Sequence, residues 1–497
     1  MKSRISRRLF LGGLALAGLA GPALANPPQV SLRPQARIAG VAKRALGGVE
    51  RLVADAGLSG RVSFAVADVH SGTLLEGFAA RVAQPPASVS KAVTALYALE
   101  TLGAEHRFQT RLLADGPVEN GVLRGDLYLV GGGDPTLDTD GLAELAAGLK
   151  EAGVREVRGA FRIYDAGLPQ IRSIDPEQPD HVGYSPSVSG IALNYNRVYF
   201  EWKRAGSSYA LSMDARTERY RPEVQAARIA IADRQVPVYT YRDRDGIDHW
   251  TVARGALGNG GGRWLPVRRP GLYAGDVFRT LARSHGVTLK SAKLAPRLPG
   301  GTVLAQVNSP PLRVVLKGML RWSNNLTAEM VGLAATKARG GTPNSLRASA
   351  RAMSDWAKTR FEMSTISLVD HSGLGGASRM SAQDLVQALV QVSERDVLRP
   401  ILKPIAMRDE RGRVVREHPI KVNAKTGTLN FVSGLGGFMT ASDGTELAFA
   451  IFAADTDIRA RIQRQDRERP PGARTWNGKA KRLQQKLIDR WGTLYGS

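Results

Sequence analysis

Ser88-Val89-Ser90-Lys91 sets a hydroxyl and an amine three residues apart, a spacing that one helical turn would bring to the same face. A serine hydroxyl attacks a carbonyl poorly until a base takes its proton. A lysine can be that base where burial or a neighbouring positive charge lowers its pKa. Two further groups could meet a peptide. Ser323-Asn324-Asn325 offers a hydroxyl and two amides, and Lys425-Thr426-Gly427-Thr428 offers an amine and two hydroxyls around a glycine that lets a substrate approach. Each group also has an ordinary explanation. A chain this long meets Ser-x-x-Lys about once by accident, Ser and Asn are favoured helix caps, and a lysine entering a turn is usually just solvated.

The surrounding patterns place these groups on particular elements. Residues 61–70 alternate loosely and end at Ser71-Gly72, the mark of a strand entering a turn. From Ser88 the spacing of Lys91, Ala92, Ala95, Leu96 and Leu99 predicts a helix that follows Pro85-Pro86 and stops near Gly103. Helices are predicted at 312–321 and 326–338, so Ser323-Asn324-Asn325 falls in the break between them. Apolar runs at 420–428, 434–440 and 447–454 read as an antiparallel meander, with Lys425 to Thr428 ending its first strand, where an extended peptide could pair. A last helix is predicted at 479–491. Strands at both chain ends suggest one sheet interrupted by the middle of the chain.

Composition limits what the protein can be. Hydrophobic residues make up 43% of 497, so a folded chain of several compact units is expected. The first residues run from Lys2, Arg4, Arg7 and Arg8 into an apolar stretch that closes on Ala23-Leu24-Ala25. This pattern predicts an export signal at 1–25, cleaved after Ala25, and the paired arginines fit the twin-arginine type. Removing those four basic residues from a net charge of +24 still leaves +20. Such a protein is attracted to anionic membranes and wall polymers, with weak electrostatic association expected. Its cations are scattered and no nucleic-acid module is visible, so nucleic acid is not an expected partner. The absence of cysteine excludes disulfides and thiol nucleophiles. Seven dispersed histidines without a His-x-x-x-His pair give little support for a metal site, and no cofactor is expected.

Considered together, the three groups agree in order, element type and separation with the Ser-x-x-Lys, Ser-x-Asn and Lys-Thr-Gly set of penicillin-recognising enzymes. The segments Pro86 to Lys91, Gly125 to Leu137, Ser309-Pro310-Pro311-Leu312, Ser323-x-Asn325, Asp370-x-Ser372-Gly373-Leu374 and Lys425 to Thr428 carry a closer likeness. The chain resembles the D-alanyl-D-alanine carboxypeptidase/endopeptidase family of class C low-molecular-mass penicillin-binding proteins, over nearly its whole mature length. The resemblance implies an α+β fold: a β-lactamase/transpeptidase-like domain of antiparallel sheet and helices, interrupted by an inserted domain that itself carries a small mostly-β domain. The expected division is 26–105 with 302–497 for the catalytic domain, 106–193 with 269–301 for the second, and 194–268 for the third.

The same resemblance implies a serine peptidase acting on peptidoglycan peptides through an acyl-enzyme, with β-lactams as acylating inhibitors. Ser88 would be the nucleophile, Lys91 its base, and Ser323 the relay of a proton to the leaving amine. Asn325 would bind substrate backbone; Lys425, Thr426 and Thr428, with Gly427 between them, would hold the terminal carboxylate. Asp165 matches by context an aspartate directed at the substrate's cationic side chain, although a turn-forming Asp is the ordinary reading. The stretch from His181 to Gly190 and Gly375-Gly376-Ala377 depart from the family's pattern, which bears on side-chain preference. A catalytically silent penicillin-sensing or wall-binding protein keeps the same motifs, and a β-lactamase is disfavoured by the long gap from Lys91 to Ser323. No Gly-x-Ser-x-Gly elbow supports a Ser-His-Asp hydrolase.

Overall fold

The structure, a computed structural model, describes residues 47–409 and 411–496; the export segment read at 1–25 lies outside them. The three apolar runs near the end of the chain form the antiparallel strands Lys421–Leu429, Val432–Thr440 and Glu446–Ala454. The last two are buried on both faces, which explains why their sequences are almost continuously apolar instead of alternating. Arg61–Asp68, from the other end of the chain, pairs antiparallel with Glu446–Ala454, from Arg61 opposite Ala454 to Asp68 opposite Leu447. Leu74–Phe78 and Lys403–Pro404 complete a six-stranded sheet at its two edges.

Each face of this sheet has its own core. On one side the helix Ala473–Tyr495 lays Leu483, Leu487, Ile488 and Trp491 against Phe64, Phe449 and Ile451. It runs several residues beyond the 479–491 read from its apolar stripe, and Ala473 and Trp476 of its first turn join the same core. On the other side the helices Ser90–Leu102, Leu312–Trp322, Asn325–Ala338, Leu346–Phe361 and Ala382–Ser393 share a second core with Ala65, Ala450 and Phe452. Fully burying one such large apolar side chain is worth roughly 1.5–3 kcal/mol, so the helix that carries the Ser88 motif is held firmly against the sheet.

The intervening residues build a five-stranded sheet in the order Lys293–Leu294, Phe161–Tyr164, Leu127–Gly131, Gln109–Ala114 and Thr302–Asn308. The helices Thr139–Glu151 and Pro270–Ser284 pack into its core. One sequence boundary moves here. Thr302–Asn308 pairs with Gln109–Ala114, so the chain leaves this sheet at Ser309 and not at 302; its loosely alternating sequence gave no sign of which sheet it would join. Residues 197–266 form two three-stranded sheets. They share one hydrophobic core with the five-stranded sheet, through Phe200, Trp250 and Leu265 beside Leu129, Phe161 and Phe278.

Candidate active site

Ser88 lies in a single 3-10 turn, Ala87–Val89, that leads directly into the helix Ser90–Leu102. Ala87 has φ +47°, a conformation uncommon for a residue with a side chain and one that recurs at functional sites. Lys91 is fully buried. Its Nζ donates to Ser88 Oγ at 2.9 Å, to Asn325 Oδ1 at 2.7 Å and to the Ser372 carbonyl at 2.7 Å. Burial drives its pKa down to about 7, against the opposing pull of the nearby Glu329 and Asp370 carboxylates. A lysine so placed is substantially neutral near pH 7, within reach of the hydroxyl it would deprotonate.

Ser323 and Asn325 flank the junction of two helices. Ser323 ends Leu312–Trp322 in the left-handed region at φ +57°. Asn324 caps the next helix, accepting from the Thr327 N–H at 3.0 Å, while Ser323 and Asn325 meet the two lysines. Lys425 Nζ donates to Ser323 Oγ at 3.0 Å and to the Thr426 carbonyl at 2.6 Å. Burial, then the positive charges of Lys91 and Lys403, push Lys425 well below its ordinary value. A carboxylate arriving beside it would supply the missing counter-charge and restore the ammonium.

The strand Lys421–Leu429 carries Lys425 and Gly427 buried, with Thr426 and Thr428 exposed between and beyond them. Its partner on the outer side, Lys403–Pro404, covers only Ala424 and Asn423. That leaves the edge from Lys425 to Thr428 open to a strand-like peptide. Gly427 is required by close approach, since an ideal Cβ there would stand 2.7 Å from the Pro86 carbonyl oxygen and 3.0 Å from Ser88 N.

Two buried carboxylates beneath the lysine were not assigned a role from sequence. Glu329 accepts the His371 and Ser372 N–H groups, each at 2.9 Å, and Asp370 accepts those of Gly373 and Gly375 at 2.7 and 2.6 Å. Together they shape the turn whose Ser372 carbonyl holds Lys91. Burial raises the pKa of both, and Asp370 raises that of Glu329 further. The sequence did hold a signal for Glu329: it is the only acid in the helix Asn325–Ala338, four residues after Asn325 and therefore on the same face.

A segment of the insertion also reaches the site. Asn325 Nδ2 donates to the Tyr184 carbonyl at 2.9 Å, so the divergent stretch from His181 to Gly190 borders the cleft. At its start this stretch is tied to the C-terminal part of the chain by His181 with Glu468 at 2.8 Å, beside the pair of Arg464 with the preceding Asp180 at 3.3 Å. Gly376 leaves room for Arg459, whose Nε lies 3.3 Å from an ideal Cβ at that glycine. Asp165 is placed differently. Its buried carboxylate lies against Gly271 at the start of the helix Pro270–Ser284, where a Cβ would collide with its Oδ2, and burial raises its pKa. Among the described residues no hydrogen bond joins it to Ser88, Lys91, Ser323, Asn325 or Lys425.

The model of the D-Ala-D-Ala carboxypeptidase 3 (S13) family matches residues 46–469. The chain belongs to this family. Among its relatives, a D-alanyl-D-alanine carboxypeptidase of Actinomadura sp. (strain R39) is 27% identical over 441 residues, 81% of this chain and 79% of that protein. The D-alanyl-D-alanine carboxypeptidase DacB of Haemophilus influenzae is 26% identical, over 79% of this chain and 85% of its own. The crystal structure of penicillin binding protein 4 (dacB) from H. influenzae superposes with a TM-score of 0.71 at 20% identity, covering 89% of this chain and all of the other. The S13 fold therefore extends over both the sheet built from the chain ends and the insertion, and the protein is a peptidase of this family.

Proposed function

We propose that the chain is a serine D-Ala-D-Ala peptidase that trims or uncrosslinks peptidoglycan stem peptides and is acylated by β-lactams. The observation that carries this reading is the buried Lys91 amine, 2.9 Å from Ser88 Oγ and lowered to about pKa 7. Ser88 Oγ attacks the carbonyl between the two D-alanines and passes its proton to Lys91. The backbone N–H groups of Ser88 and Thr428 hold the oxyanion, donors already fixed in place before reaction. The C–N bond then breaks, and Ser323 relays a proton to the departing amine. Asn325 aligns the substrate backbone, while Lys425, Thr426 and Thr428 bind the terminal carboxylate. Water cleaves the ester and restores Ser88. Asp165 reaches substrate in this reading only through the loop that borders Gly190, whose N–H its own carbonyl holds at 2.6 Å.

The named activities of the two carboxypeptidase relatives agree with this assignment. The H. influenzae protein has also been crystallised with a β-lactam. The basic and apolar segment at 1–25 supports work outside the cytoplasm, in the periplasm or cell envelope. Among the described residues no helix is long and apolar enough to cross a membrane. The test is to incubate the mature protein and Ser88→Ala with a fluorescent penicillin and with a diacyl peptide ending in D-Ala-D-Ala. Labelling and D-alanine release by the wild type alone support the peptidase; labelling without release supports a penicillin sensor instead.

A further inference from the structure

The helix that delivers Ser323 has an outer face with two parallel ridges. Leu312–Trp322 buries Leu312, Val315, Leu316, Met319 and Leu320. Spacing of four residues then aligns Arg313, Lys317 and Arg321 along one exposed row, and Val314, Gly318 and Trp322 along the next. Trp322 is 74% exposed, the residue immediately before Ser323, and the Arg321 guanidinium lies 5.0 Å from its ring centroid. A Cβ added to Gly318 would meet nothing within 4 Å, so the apolar row is an open trough between Val314 and Trp322. Arg313 is paired with Glu105. Among the described residues neither Lys317 nor Arg321 has a carboxylate within salt-bridge distance, and the exposed Lys403 stands on the edge strand beside Lys425.

This face ends at the residue that precedes Ser323. Ser323 is the group that protonates the departing amine in the reaction above, so the face is next in the chain to the point where that amine leaves. In carboxypeptidase cleavage the leaving group is a single D-alanine. Cutting a cross-link releases an amine that carries a second stem peptide with its own carboxylates. We propose that the Lys317, Arg321 and Trp322 face holds this acidic leaving peptide, and so favours cleavage of cross-links over trimming of single stems. The atoms balance as in the reaction above: Ser88 forms the ester, the C–N bond breaks, and the proton ends on the leaving amine. The charge of the two free cations is complementary to the peptide, and an exposed indole beside an open trough gives its apolar parts a surface to cover.

The inference rests on the peptidase reading, and its test separates the two. Wild type, Trp322→Ala and Lys317→Glu/Arg321→Glu are assayed on a purified cross-linked muropeptide dimer, on the short diacyl peptide and for penicillin acylation. The variants are expected to lose roughly tenfold in kcat/KM on the dimer, the size of one good aromatic or charge contact. On the short peptide and penicillin they should stay within about twofold of wild type. Unchanged dimer cleavage overturns the proposal. So does an equal loss on all three reagents, which would make the face a support for Ser323 alone. Dimer cleavage that stays intact while the variants lose binding to anionic phospholipid vesicles also overturns it and assigns the face to a membrane. Wild type that neither takes penicillin nor cuts either peptide sinks the peptidase reading, and this one with it.

Discussion

Ser88 Oγ, Asn325 Oδ1 and the Ser372 carbonyl use all three donor directions of a protonated Lys91 amine that no solvent reaches. Two protonation states are therefore close in energy: burial opposes the charge, while Glu329 and Asp370 favour it. Only the neutral state can accept the Ser88 proton. Because the lysine is lowered to about 7, the rate of penicillin acylation should climb from about pH 6 to about pH 8 and then level off. Stopped-flow labelling across that range checks this, and a flat profile contradicts it. Lys91→Ala should cost roughly a hundredfold or more in acylation with a folded protein remaining. Glu329→Gln tests the carboxylate beneath. Glu329 accepts the His371 and Ser372 N–H groups on different oxygens; an amide nitrogen in place of one of them only donates, so one buried N–H is left unpaired at a cost of about 1–3 kcal/mol. Urea unfolding should show that loss, and the pH midpoint of acylation should move as the Ser372 turn relaxes away from Lys91.

At the scale of elements, the site is assembled where a strand edge, a 3-10 turn and a helix junction meet. Gly427 fixes how closely the strand approaches the turn. Gly427→Ala should lower acylation by roughly a hundredfold, because displacing reacting groups by about 1 Å has that effect. Overpacking of this kind should lower stability by about 1–3 kcal/mol, read from a thermal melt run beside the acylation assay. This scale also shows what could be read from residues alone. The strands Val432–Thr440 and Glu446–Ala454 were legible because two-sided burial makes them apolar almost throughout, and the Ser323 break was legible because capping residues interrupt two apolar stripes. Ser88, Lys91, Ser323, Asn325 and Lys425 come together across more than 330 residues of chain because three short groups kept their order. Asp370 and the Tyr184 carbonyl were harder to read, since an acid that accepts backbone N–H groups and a carbonyl that accepts from a distant side chain follow no spacing rule. The seam at Ser309 was hidden for a similar reason: a half-exposed strand carries little information about its partner.

Across the whole molecule, the insertion is joined to the catalytic sheet by the chain on either side of it and again at the cleft. Glu468 lies at that second joint, bonded to His181 at 2.8 Å and to Arg263 at 3.0 Å, and these partners hold its carboxyl down near pKa 2. Glu468→Gln should remove about 1 kcal/mol of stability, as expected for partly exposed pairs. It should also change KM for peptides more than the rate of penicillin acylation, because the Tyr184 segment borders Asn325 without touching Ser88. Steady-state kinetics on the diacyl peptide beside penicillin labelling would show the split. The net charge of +24 acts over longer range, attracting anionic polymers in a manner that salt weakens. The central claim is the covalent bond to Ser88. It is tested most directly by treating the folded protein with penicillin, digesting it and locating the adduct by mass spectrometry. One penicilloyl group on the peptide containing Ser88, absent from Ser88→Ala, is the predicted result. An adduct on another residue, or none on a folded protein, would contradict the account.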